Sequence, residues 1–188
     1  MSIRDIIKRN INGREVLLLF ILTNMVYAIM VTFTIPKVMS FSGGIKLLDM
    51  MPGGYNAEYV NTLLNTLGEN GRNAYLFIQL PVDMIYPFLF AVSSCLVLAY
   101  FLNKLTKLEG KLFYLCFIPL FAGAFDYCEN IGIITMLNNY PNNSDLLSQA
   151  TSIFSVLKTS FAVTYFSILI TLLIVLGIRK ISAKSINV

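Results

Sequence analysis

The stretch FDYCENIGI, residues 125–133, decides how the chain is read. It sits in an apolar run from about Leu112 to Leu137, yet places Asp126, Glu129 and Asn130 close together. Whether that run is a soluble core helix or a membrane span depends on the rest of the chain. Of its 188 residues, 56% are hydrophobic and 13% charged. The mean hydropathy is +0.71. A soluble domain carries roughly 25% charged residues to cover its surface. The chain therefore reads as an integral membrane protein.

A spanning helix needs ~20 mostly apolar residues. Four segments meet that length, at about residues 16–35, 75–102, 112–137 and 146–178. The expected fold is an all-α four-helix bundle in a single transmembrane domain. The outer loop, 36–74, is long. Within it Asn56 is placed to cap a helix, and Val60, Leu63, Leu64 and Leu67 recur at helical spacing before Gly68. The spacing predicts a short amphipathic helix of about three turns on the outer membrane face, acting as lid or as linker.

Lys and Arg set the orientation. The N-terminal segment has Arg4, Lys8, Arg9 and Arg14, the loop after the second span has Lys104, Lys107 and Lys111, and the tail has Arg179, Lys180 and Lys184. The opposite side has Lys37, Lys46 and Arg72. The positive-inside rule puts both termini in the cytoplasm, and the expected location is the cell inner (plasma) membrane. The basic residues are thus explained by topology, and no nucleic-acid partner is implied. The segment SIRDIIKRNI, residues 2–11, puts Ile3, Ile6, Ile7 and Ile11 on one face, as an interfacial anchor would. The apolar run after it is too long for a cleaved signal peptide.

The chain has no histidine, which removes His-based zinc sites, Ser-His-Asp triads and imidazole relays. Cys95, Cys116 and Cys128 all fall in apolar spans without a CxxC pair, and read as buried free thiols.

Four ionisable residues lie inside the spans: Asp83, Asp126, Glu129 and Lys158. At 1.5 Å of rise per residue, Asp83 and Glu129 each lie ~12 Å from the outer end of their helix and Lys158 ~18 Å. Three helices thus deliver charge to one depth. On the second span Arg72, Gln79, Asp83 and Tyr86 follow helical spacing as one stripe. On the third, Asp126, Glu129 and Asn130 share a face. Lipid would not accept these stripes cheaply, because a charge at the centre of a span costs ~3 kcal/mol. Three carboxylates against one ammonium leave an excess that protonation, a bound cation or water must meet. Buried polar groups also serve as glue between helices, at ~0.6 kcal/mol each, but Asn or Thr alone suffices for that. The expected ligand-binding set is Arg72, Gln79, Asp83, Tyr86, Asp126, Glu129, Asn130 and Lys158. Asp83 and Glu129 are candidate acid–base residues, and Asp83, Asp126 and Glu129 candidate oxygen ligands for a metal. Pro81 and Pro87 bracket Asp83 and free backbone carbonyls beside it.

The string GYNAEYVNTLLNTLGENGRNAY, the D-x-x-Y-P of the second span, FDYCEN and the lone lysine of the fourth resemble a family of small four-span bacterial membrane proteins. The resemblance runs from Gly54 to Lys158. It implies signature positions at Gly71, Arg72, Tyr75, Asp83, Pro87, Asp126, Glu129, Asn130 and Lys158, but no chemistry. The architecture is also loosely similar to the emopamil-binding-protein (EXPERA) group of sterol isomerases and ligand-binding proteins, of which no motif is matched.

Three functions follow as expectations. The first is a binding protein or transporter whose outward-facing acidic pocket takes a cation or a small polar or amphiphilic ligand, as a homo-oligomer if it transports. The second is an intramembrane enzyme moving protons on a lipid or isoprenoid. The third is an accessory subunit with its acids turned outward. A cavity open sideways to lipid favours the second, and a polar mouth under residues 39–70 the first.

Overall fold

The structure, a computed structural model, describes residues 3–105 and 108–186, with side chains to residue 182. Ser2, Lys107 and the side chain of Lys184 lie outside the described residues. Among these residues four helical stretches are long and apolar enough to cross a membrane: Gly13–Met39, Ala57–Lys104, Lys111–Asn139 and Asp145–Ser182. The chain is an all-α, multi-pass membrane bundle. Its first and fourth spans expose Leu17, Leu18, Ile21, Leu22, Ile170 and Ile174, a surface suited to lipid and not to water.

The spans pass through prolines by adjusting their register. The first was expected to stop near Pro36, but it continues to Met39. A π turn over Met30–Thr34 comes just before the proline. A second π turn, Tyr75–Gln79, comes just before Pro81. Such local widening lets a membrane helix re-satisfy the backbone groups that proline leaves open. The third span starts as a 3-10 turn, Lys111–Phe117, and becomes α-helical at Ile118 with Pro119 in its first turn.

The outer helix begins where expected. The Asn56 side chain accepts from the Tyr59 amide at 2.8 Å, as a helix cap. Gly68, at φ 60°, breaks the helical path between this element and the second span. Val60, Leu63, Leu64 and Leu67 are buried against Leu47, Leu48, Tyr75, Ile133 and Met136, so the outer helix covers the end of the bundle opposite the N-terminal helix.

A second apolar cluster fills the other end, built on Leu98, Leu102, Phe113, Cys116 and Tyr165. Ile7 of the N-terminal helix Ile3–Arg9 joins it, while Ile3 and Ile6 stay exposed. Arg4 and Lys8 both pair with Glu109, which pins this helix to the loop after the second span. The polar residues of the spans lie between the two clusters.

Two glycines set the helix crossings. A Cβ on Gly123 would stand 2.7 Å from the Pro87 carbonyl oxygen and 2.8 Å from the Ala91 Cβ. A Cβ on Gly132 would collide with the Thr151 side chain. The third span thereby lies close against the second and the fourth. The first span packs on the second, and a cavity separates it from the fourth. Cys95 and Cys116 are buried, but Cys128 is exposed. That corrects the expectation for the third thiol: it lies on the lipid side of a helix whose opposite face carries the acids.

Candidate functional site

Lys158 of the fourth span is the centre of the polar layer. Its ammonium stands 3.1 Å from Asp126 Oδ1 and forms an ion pair with Glu129. Both acids come from the third span, one turn apart, as their spacing requires. The Glu129 side chain is fully buried, and that of Asp126 is 9% exposed. In so little water, the opposite charges and their geometry are what make the site tolerable. One turn before Lys158, the Ser155 hydroxyl donates to the Met51 carbonyl at 3.1 Å and ties the fourth span to the outer segment.

Asn130 has a structural task. Pro87 lacks the amide that would bond to the Asp83 carbonyl one turn back. The Asn130 side-chain amide donates to that carbonyl at 3.2 Å instead. The carbonyl freed by Pro87 is therefore taken up by the third span. Asp83 is itself 3% exposed, and no hydrogen bond or ion pair reaches its carboxyl among the described residues.

A cavity of about 660 Å³ adjoins these groups. Asp83, Asp126 and Lys158 line it, together with Asp49 and Met50 of the 36–74 segment. Tyr86 lines it as well, half-buried, its ring 5.6 Å from Tyr27 and 5.9 Å from Phe90. Toward lipid the walls are Val31 and Ile35 from the first span and Val163 and Phe166 from the fourth. Val163 is 59% and Phe166 49% exposed, so the gap between these two spans opens sideways.

Asp49 is the residue that sequence reading missed. It accepts from the Tyr75 hydroxyl at 2.9 Å and from the Gln79 amide at 3.2 Å. Gln79 in turn accepts from Thr34 of the first span. This chain of bonds joins both π turns to the outer segment. Gln79 is fully buried in it and does not line the cavity. The signal for Asp49 was its setting, a lone acid inside LLDMM, residues 47–51. Tyr55 is a second unforeseen neighbour. Burial, then the Glu129 charge, hold its phenol well above its usual value, so it stays protonated, and its buried hydroxyl has no hydrogen-bond partner among the described residues.

Arg72 stands apart. Its guanidinium donates to the Leu64 carbonyl at 2.8 Å and lies 4.1 Å over the Tyr140 ring. The π turn between Arg72 and Asp83 adds a residue to the helical path and rotates Arg72 off the stripe that regular spacing draws. Of the expected ligand-binding set, Asp83, Tyr86, Asp126 and Lys158 line the cavity; Glu129 and Asn130 back it; Gln79 and Arg72 brace the end covered by the 36–74 segment. Among the described residues no three His, Cys, Asp or Glu side chains form a group that could hold a metal ion. The Lys158 ammonium occupies the place between Asp126 and Glu129 where a cation would sit. No protein-family model, no curated protein and no solved structure matches the chain.

Proposed function

We propose that the protein binds an amphiphile with a cationic head group, taken up sideways from the membrane between its first and fourth spans. The observation that carries this reading is Asp83, a buried carboxyl that no hydrogen bond or ion pair reaches among the described residues, lining an apolar, laterally open cavity. Asp49, Asp83 and Asp126 face that space against the single ammonium of Lys158, which leaves an acidic excess for a ligand to balance. The aromatic wall of Tyr27, Tyr86, Phe90 and Phe166 suits both an aliphatic tail and a cation over a ring. The burial of the acids speaks against an accessory subunit that turns them outward. The Lys and Arg distribution favours cytoplasmic termini in the cell inner membrane. Transport through the same cavity, by a homo-oligomer, is an extension of this reading.

The test compares dodecylamine with dodecanol as ligands of the purified protein in detergent, beside native mass spectrometry for co-purified amphiphiles. The amine is expected to bind about tenfold more tightly than the alcohol, the size of a charge-assisted hydrogen bond. Asp83→Asn is expected to remove that preference and leave alcohol binding intact. Equal affinities in the native protein defeat the reading. The sideways opening also favours acid–base chemistry on a lipid or isoprenoid, with Asp83 as the base. Double-bond isomers formed from an added isoprenoid, and lost in Asp83→Asn, would identify that activity.

A further inference from the structure

A second cavity, of about 410 Å³, lies at the basic end of the bundle, remote from the acids. Leu17 and Phe20 line it from the first span, Tyr100 and Phe101 from the second, Leu169 and Leu173 from the fourth. No charged side chain lines it. Helical spacing then places one basic residue from each of the three spans at its mouth. Arg14 precedes Leu17 by one turn, Lys104 follows Tyr100 and Phe101 by one turn, and Lys180 follows Leu173 by two.

Arg4 and Lys8 share the one carboxylate of Glu109. Arg14, Lys104 and Lys180 are exposed, and none has an ion-pair partner among the described residues. Arg9, Lys111 and Arg179 on the same side are exposed too, without an ion-pair partner among the described residues, but helical spacing does not bring them into line with the residues that line the groove. Lys104 leans over the Tyr100 ring, its ammonium 4.7 Å from the centroid and so drawn toward the groove. Glu15, the nearby acid, is within 3.4 Å of the Asn12 amide. An apolar groove of aliphatic and aromatic side chains below three cations at one membrane face has the chemistry of an anionic phospholipid site.

We propose that this groove holds an acyl chain of an anionic phospholipid, with the phosphate of its headgroup against Arg14, Lys104 and Lys180. Topology alone accounts for cations at this face, but not for their convergence on one groove, and the experiment separates the two.

Protein reconstituted in nanodiscs of equimolar phosphatidylglycerol and phosphatidylcholine is released into the mass spectrometer, and the retained lipids are counted by class. The native chain is expected to retain phosphatidylglycerol preferentially. The pair Arg14→Gln and Lys104→Gln is expected to lower that preference about fivefold for each charge removed. Leu173→Trp fills the groove and leaves every charge in place. Leu173 is 45% exposed, so the larger ring is accommodated without disturbing the core. This variant is also expected to lose the preference, whereas Lys37→Gln at the opposite face is expected to keep it. Equal retention of both lipids by the native chain overturns the proposal, as does a preference that survives Leu173→Trp.

Discussion

Replacing Lys158 with Met removes the single ammonium that Asp126 and Glu129 share. Met fills a similar volume, so packing changes little and the effect is electrostatic. Removing one partner of a buried ion pair costs about 3–5 kcal/mol, because the remaining charge has neither water nor counter-charge. Here two carboxylates lose their partner at once, and Glu129 is fully buried, so the upper end of that range, about 5 kcal/mol, is expected. The companion variant carries Lys158→Met, Asp126→Asn and Glu129→Gln together. With no charge left to strand, it is expected to recover to within about 1–2 kcal/mol of the native chain. Reversible unfolding in mixed micelles with increasing dodecyl sulfate, followed by circular dichroism, gives both values. A native-like midpoint for Lys158→Met would refute the shared ion pair. So would a triple variant as unstable as the single one, since the cost would then not be uncompensated charge.

Asp49→Asn weakens the bonds to Tyr75 and Gln79 that hold the outer segment down. A loss of about 1–3 kcal/mol is expected, read as faster proteolysis within residues 40–56 while the spans stay intact. A lipid-soluble maleimide is expected to label Cys128 in the folded protein, and Cys95 and Cys116 only after denaturation.

Much of the architecture is legible in the sequence because lipid imposes a simple length rule. The spans, the Asn56 cap and the outer helix follow from apolar runs and helical spacing. So does the meeting of Lys158 with Asp126 and Glu129, since few places in a bilayer can hold those charges. What spacing does not show are departures from a regular helix. The two π turns move Arg72 off its expected face and carry the first span past Pro36. The role of Asn130 depends on which carbonyl Pro87 leaves open across a helix contact. Asp49 reads as an ordinary loop acid until the outer segment folds back over the bundle. Cys128 is apolar enough to pass for a core residue, and its exposure follows from the acids claiming the opposite face.

Photolabelling is the most direct test of the laterally open site. An alkylamine bearing a diazirine in its tail is irradiated with the protein in nanodiscs, and the adducts are mapped by mass spectrometry. The expected adducts fall within residues 27–39, 83–90 and 158–166, are displaced by excess dodecylamine, and need about tenfold more probe in Asp83→Asn. Adducts confined to lipid-facing positions such as Phe77 and Ile131, undiminished by competitor, would contradict a ligand cavity between the first and fourth spans.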